Sequence, residues 1–405
     1  MKIMLIDVYK IVNYAGGIEH VLCDFANEFS RRGHKVSIVC LDIEKGTPLY
    51  PLYNNVKFVN LCYEHGKPYN QGFKFHWVKI EKEILRTFGG KKLIIGGKRR
   101  NDPKKEYFYQ CFTERLKKCV REDPPDVVLG ASPDASLLTY KVLSSVFQKS
   151  IPQISMCHVN PYESTKNMTD EEIDVWRKIS AVQVLMPSFV NAVKKVGVKN
   201  VVCIPNTVTQ IPIFKRTDLL KCHHNIISVG RVEHDVKRPH LLLEAFSKIA
   251  DSFPDWQLHI YGDVSNKRYV KKLKRFVKIK KLENQIFFDG PTTNIYDKLR
   301  KSDIFVTTSA SEGFGLAATE AMSMGVPVIA YKNTGALSDL IHNGINGYLC
   351  DDGIEDISRK LSYLMKNQAL RVFMGKNAGD SVVEYTPKIV WDKWESILYT
   401  LYNNN

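Results

Sequence analysis

The chain has 405 residues, 44% hydrophobic and 11% aromatic, which is enough apolar material for full cores and excludes a disordered tail protein. Lys and Arg number 58 against 43 Asp and Glu, a formal charge of +15, so the expected partners are nucleic acid, an anionic membrane surface or a phosphate-bearing ligand. There is no run of 18 apolar residues, no signal-peptide pattern in MKIMLIDVYKIV and no C-x-x-C among nine scattered cysteines, so the expectation is a cytosolic chain with free, mostly buried thiols.

At about 150 residues per domain, two domains of similar size are expected. Lys2–Val8 reads as a buried strand, followed by a turn at Asn13, Gly16 and Gly17. Ile18–Arg32 carries Ile18, Val21, Leu22, Phe25 and Phe29 at helical spacing, Gly33 ends it, and Lys35–Leu41 is a second strand. Strand, glycine turn, helix, strand is a right-handed βαβ unit of a parallel sheet. Val56–Leu61 is another strand. From about 64 to 105 the pattern is irregular, with Gly89-Gly90 and Gly96-Gly97 around a basic stretch tipped by Leu93-Ile94-Ile95, and reads as an insertion. Between Lys57 and Lys105 there are 13 Lys and Arg against 4 Asp and Glu, more than half of the chain's basic excess. Tyr107–Val120 is helical, and Asp126–Ala131, Ile154–Cys157, Ile179–Met186 and Asn200–Ile204 are strands.

Around Pro205–Asp218 the alternation stops and a linker is expected. A second βα series follows: strand Asn225–Gly230, helix Arg238–Phe253, strand Gln257–Tyr261, helix Lys267–Lys281 with one solvated basic face, and strand Ile286–Phe288. Next come helix Ile295–Lys301, strand Ile304–Thr307, helix Gly315–Met324, strand Val326–Tyr331, helix Leu337–His342 and strand Gly347–Cys350. Ile354–Met365 and Arg371–Val383 are helical. In Pro387–Asn405, Trp391, Trp394, Ile397 and Leu398 recur at helical spacing, too much apolar surface for a helix standing alone.

The strongest chemical signal is SASEGFGLAATE, Ser309–Glu320, delivered by the strand IFVTT. Gly313 and Gly315 let a backbone approach a ligand closely. The N–H groups from Phe314 to Ala317 open a helix, and helix N-termini hold phosphate. Glu312 falls on the loop and Glu320 within the helix, where a carboxylate can accept from ribose hydroxyls. A Gly-x-Gly fragment alone can also be an ordinary tight βα turn. Gly230-Arg231, with Lys237 six residues on, stands at a strand's C-terminal edge, where two cations can neutralise a diphosphate or simply be solvated. Gly16-Gly17 suits either a turn or a ligand loop. His158, at the end of ISMC, suits either a structural or a cleft-facing histidine. There is no Asp-x-Asp pair, no P-loop and no G-x-S-x-G elbow.

In this order and spacing, Gly16-Gly17, IPNTV (204–208), VGRVEHDVKR (229–238), LHIYGD (258–263), FFDG (287–290), SEGFGLAATEAMSMGVPVIA (311–330) and NGINGYL (343–349) resemble the retaining glycosyltransferases of family 4. The resemblance implies the α/β GT-B fold: two Rossmann-like parallel-sheet domains facing a cleft, with the C-terminal helix crossing back. It divides the chain into an acceptor-binding domain (1–208, joined by helix 386–405) and a nucleotide-sugar-binding domain (215–385). It implies a hexosyltransferase using a nucleotide-sugar, with uracil the expected base, to build a surface polysaccharide or lipid-linked glycan. Arg231 and Lys237 would bind the diphosphate, Glu320 the ribose and Glu312 the sugar hydroxyls. Gly313, Phe314, Gly315 and Leu316 would present backbone N–H groups, Gly16 and Gly17 would let the N-terminal loop approach, and His158 would contact the transferred sugar. No metal or other cofactor is expected, and the nucleotide-sugar is a substrate. Gly335-Ala336, Asp339 and GDV (262–264) depart from the family pattern. The basic 64–105 insertion fits either docking on an anionic membrane or a solvated loop, and the first reading makes the expected location peripheral, on the cytoplasmic face. A nucleic-acid partner is not expected, since no basic motif interleaved with aromatics supports one. A nucleotide-sugar epimerase or a non-catalytic nucleotide-binding scaffold are the alternatives on the same fold.

Overall fold

The structure is a computed structural model and describes residues 1–14, 16–64, 68–89, 94–95, 98–99, 102–210, 224–292 and 294–404. β1 (Lys2–Ile6) is buried from its second residue onward, as a strand covered on both faces must be. β2 (Lys35–Cys40) and β3 (Lys57–Asn60) extend the sheet on one side. β4 (Ile94–Ile95) and β5 (Lys98–Arg99) form a separate antiparallel pair. β6 (Val127–Gly130), β7 (Gln153–Cys157), β8 (Ala181–Val184) and β9 (Val201–Cys203) extend it on the other side. The seven-stranded order is β3-β2-β1-β6-β7-β8-β9, all parallel.

The second half repeats the plan with β10 (His224–Val229), β11 (Trp256–Tyr261), β12 (Ile286–Gly290), β13 (Ile304–Val306), β14 (Val328–Tyr331) and β15 (Gly347–Cys350). Its parallel order is β12-β11-β10-β13-β14-β15. Each sheet is laid down outward in both directions from its first strand. Each therefore has one switch point where successive loops diverge and leave a crevice: β1/β6 in the first, β10/β13 in the second.

One hydrophobic cluster joins the halves: Trp176, Val184 and Phe189 of the first pack in the same core as Phe305, Phe314 and Met322 of the second. The Pro387–Asn403 helix returns to the first half. It buries Val390, Trp391, Trp394 and Leu398, with both indoles edge-on to Phe25 at 5.6 and 5.3 Å. Arg32 closes that seam by donating to Glu395 at 2.6 Å and Asp392 at 2.8 Å. This is the crossing-back expected of the GT-B fold.

The reading of 64–105 as irregular is corrected in part. Phe73–Gly89 is a 17-residue helix. Its apolar residues lie on two opposed faces, which blurs the single-stripe period that marks an ordinary surface helix. Phe75 packs on the rings of Tyr69 and Tyr107 at 6.1 and 6.0 Å, and Lys82 pairs with Asp102. Of the tip and its flanking glycines, Gly90, Leu93, Gly96 and Gly97 lie outside the described residues, as do 211–223 of the linker.

The helix expected at Tyr107–Val120 begins at Pro103, because Asp102 accepts from the Lys104 N–H at 2.9 Å and proline suits a first turn. Three capped or proline-led helices, Pro133–Val146, Asp170–Lys178 and Pro187–Lys195, went unread in the sequence. The helix expected over Arg238–Phe253 begins at Pro239, since Arg238 is left-handed at φ 48°, and ends at Ser247, with a separate 3-10 turn at Ala250–Ser252. Lys267–Ile279 stops two residues before Lys281, which is left-handed at φ 57°. The eight cysteines among the described residues are free, and six are buried.

Candidate active site

At the second sheet's switch point, the loops after β10 and β13 are stitched together. Thr308 Oγ1 donates to the Lys237 and Arg238 carbonyls at 3.1 and 2.9 Å, and the Ala310 N–H donates to Val236 O at 2.7 Å. Arg238 Nε donates to Thr308 O at 2.9 Å while its guanidinium lies over the Tyr331 ring. This frame brings Lys237 onto Glu312, Nζ to Oε1 at 2.6 Å, both side chains largely buried. Lys237 folds back over Gly230, where a Cβ would lie 3.3 Å from its Cδ. Arg231 is half exposed and pairs with Glu233 at 3.3 Å.

Glu312 is held through its backbone. Its N–H donates to Thr334 O at 2.7 Å, and its carbonyl accepts from the Ala336 N–H at 3.2 Å. At Gly313 the halves touch: a Cβ there would fall 2.0 Å from His158 O. Gly315, at φ 76°, turns the chain into the Leu316–Ser323 helix, which has no side-chain cap. Its first N–H groups are therefore left for a ligand or water. The Phe314 ring is buried edge-on to Tyr385 at 5.6 Å, so it anchors the loop and leaves only its backbone for a ligand.

Glu320 lies one turn into that helix. Burial pushes its carboxyl up to about 7, and Tyr296 donates to it at 3.4 Å. Across the cleft, Gly16 is the N-cap of the Gly17–Arg31 helix, and a Cβ on Gly17 would sit 3.5 Å from Leu316 Cδ1. His158 is held neutral, its imidazole pushed down to about 4 by burial, and its Nε2 is buried without a hydrogen-bond partner. Buried polar atoms of that kind are rare and are commonly completed by a ligand or water. Ser188 N–H donates to Asp339 at 3.3 Å, a second tie between the halves.

The residues singled out in the sequence thus gather where the halves meet: Arg231, Lys237, Glu312, Gly313, Gly315, Leu316 and Glu320 from one half, with Gly16, Gly17 and His158 from the other. Sequence reasoning missed Glu19, His20, Asp24 and Tyr50. Glu19 is buried, its carboxyl pushed up to about 7 by burial and drawn back by Arg231 across the cleft. His20 stacks on Tyr50 at 4.5 Å and pairs with Asp24 at 3.3 Å. Burial raises the carboxyls of both Asp24 and Glu320, and the charge of Asp24 adds to the rise at Glu320. These polar residues follow a clear apolar stripe, and nothing local marks them as facing a second domain. At the first sheet's switch point, Asp134 accepts from Tyr9 and from Tyr109, the latter at 2.9 Å, and buried Asp7 is pushed up to about 6. Among the described residues there is no group of three His, Cys, Asp or Glu that could hold a metal ion.

Residues 15–209 match the family described as Glycosyltransferase Family 4, and 213–380 the one described as Glycosyl transferases group 1. An uncharacterized glycosyltransferase of Haemophilus influenzae is 23% identical over 96% of this chain and 97% of its own length. Poly(ribitol-phosphate) alpha-N-acetylglucosaminyltransferase of Staphylococcus aureus is 26% identical over 69% of this chain, spanning 56% of that protein. A variant of Staphylococcus aureus TarM in complex with fondaparinux, alpha-GlcNAc-glycerol and UDP shares the fold, with TM-score 0.72 and 19% identity over 99% of both chains.

Proposed function

The chain belongs to the GT-B-fold glycosyltransferases of family 4 and group 1, and from this we propose that it is a retaining hexosyltransferase. Its donor is a nucleotide-sugar, a UDP-sugar in this reading, and its acceptor a glycan or lipid-linked saccharide of a surface polysaccharide. The observation that carries the reading is the convergence of Lys237, Glu312 and the uncapped Leu316–Ser323 N-terminus at one switch point, opposite His158 and Gly17. The UDP and alpha-linked sugar named with the Staphylococcus structure support the base and the stereochemistry.

The diphosphate lies over the helix N–H groups, with Lys237 and Arg231 taking up the charge that builds as the sugar–phosphate bond breaks. Fixed donors in a closed cleft do this without reorganising. Glu320 accepts from the two ribose hydroxyls. Glu312 turns from Lys237 alone to sharing it with the sugar hydroxyls. Neutral His158 offers Nε2 to a sugar hydroxyl. Retention follows from attack by the acceptor hydroxyl on the face the phosphate is leaving, with that phosphate taking the proton. No protein nucleophile is then needed.

The test is release of nucleoside diphosphate from UDP-, GDP- and ADP-sugars, with and without a lipid extract as acceptor source. One donor should be turned over, and Arg231→Ala should lose most of that release. Silence for every donor, with no thermal shift from any nucleotide, would overturn the reading.

A further inference from the structure

We propose that the Phe73–Gly89 helix seats this protein on an anionic lipid surface. Phe73 is 79% exposed, Trp77 57%, Ile80 43%, Ile84 52% and Phe88 77%. At about 100° per residue these five side chains fall within an arc of about 80°. They make one continuous apolar stripe along a 17-residue helix. The opposite face, with Phe75, Val78, Lys82 and Leu85, is half-buried on the protein, so the helix is already held and the stripe is surplus to folding. Soluble chains rarely leave such a stripe uncovered.

Charge selects the occupant. The helix carries Lys74, Lys79, Lys82 and Arg86 against Glu81 and Glu83; Lys74 and Glu81 border the stripe on one side, Glu83 on the other, while Lys79 and Arg86 lie toward the protein-facing side, and Glu83 is paired with Arg86. The stretch 90–101 adds Lys91, Lys92, Lys98, Arg99 and Arg100 and no acid. A basic apolar helix lying in the headgroup plane is drawn to anionic lipid, whereas a second copy would bring like charge against like charge. The helix is ion-paired to Asp102 at the start of the Pro103–Glu122 helix, whose Tyr109 reaches Asp134 at the first sheet's switch point. A bilayer at the stripe is thus one helix away from the switch point of the half to which the acceptor is assigned. That last link rests on the proposed function, and lipid binding itself does not.

The test is flotation of the full chain with vesicles of phosphatidylcholine alone and with 30% phosphatidylglycerol. Trp77 is the one exposed tryptophan; Trp176, Trp256, Trp391 and Trp394 are buried, so a blue shift of emission on adding vesicles reports this helix. Binding at least tenfold tighter to the anionic vesicles is expected, with the blue shift. It should weaken at least tenfold in Phe73→Ser/Trp77→Ser/Phe88→Ser, whose circular dichroism and nucleotide-induced thermal shift stay unchanged. No preference for anionic vesicles, or equal binding by the triple variant, would overturn the proposal. So would a wild-type dimer that the triple variant converts to monomer, which would assign the stripe to a second copy. Flotation, the emission shift and circular dichroism need neither donor turnover nor nucleotide binding, so failure of the transferase reading would leave them standing.

Discussion

Lys237→Ala is expected to lower kcat/KM about a thousandfold, the usual scale for removing one fixed donor from developing oxyanion charge. The same change leaves the Glu312 carboxylate largely buried without its partner at 2.6 Å, so it also destabilises the fold. The two effects are separable. Adding Glu312→Gln removes the uncompensated charge, so the double variant should regain most of the melting temperature lost by Lys237→Ala. It should not regain turnover, because the diphosphate still lacks its cation. Steady-state kinetics and thermal melts of both singles and the double measure this. If the double variant recovered activity along with stability, the pair would be a structural ion pair and the assignment to phosphate would fail.

Glu320→Gln is expected to weaken donor binding about 10- to 100-fold, the scale for hydrogen bonds to a charged group, while making the protein more stable at alkaline pH. The sign follows from burial. The folded carboxyl titrates at about 7 against an ordinary 4.5, so the unfolded chain loses its proton first. Glu320 therefore costs nothing below pH 4.5, its cost grows between 4.5 and 7, and it is constant above 7. At about 1.4 kcal/mol per unit, that cost is of the order of a few kcal/mol. Glutamine removes it, so the gain should be visible at pH 8 and absent at pH 4.5. Donor binding to the wild type should tighten as pH rises through 7, since ribose hydroxyls donate to the ionised form. Buried Glu19, pushed up to about 7, and Asp24, raised by burial, lie on the facing half and contribute to that profile. Calorimetric titration at several pH values, with melts alongside, checks both arms. Loss of stability with unchanged affinity would make Glu320 a structural residue.

The two βα series, and hence the two parallel sheets, are legible because buried parallel strands read as short continuous apolar runs. The 309–320 loop is legible too, since Gly313 and Gly315 with Glu312 and Glu320 form a local pattern within a dozen residues. The cleft's other wall is not. Glu19, His20 and Asp24 sit beside a well-formed apolar stripe, and only the packing of the second domain turns them from surface polar residues into neighbours of Arg231 and Glu320. The ion pair between Lys237 and Glu312 joins residues 75 positions apart, and no spacing rule relates them. Phe73–Gly89 escapes for a different reason: it is apolar on two faces, one for the protein and one for solvent, so the periodicity that identifies an ordinary helix is diluted.

Hydrogen–deuterium exchange with and without the nucleoside diphosphates of uracil, guanine and adenine tests the central claim most directly. A nucleotide held at the β10/β13 switch point should slow exchange at the amides of 313–319 and 230–237, with a smaller effect at 16–20 across the cleft. Protection confined to the first sheet, or to the basic face of the Lys267–Ile279 helix, would contradict it.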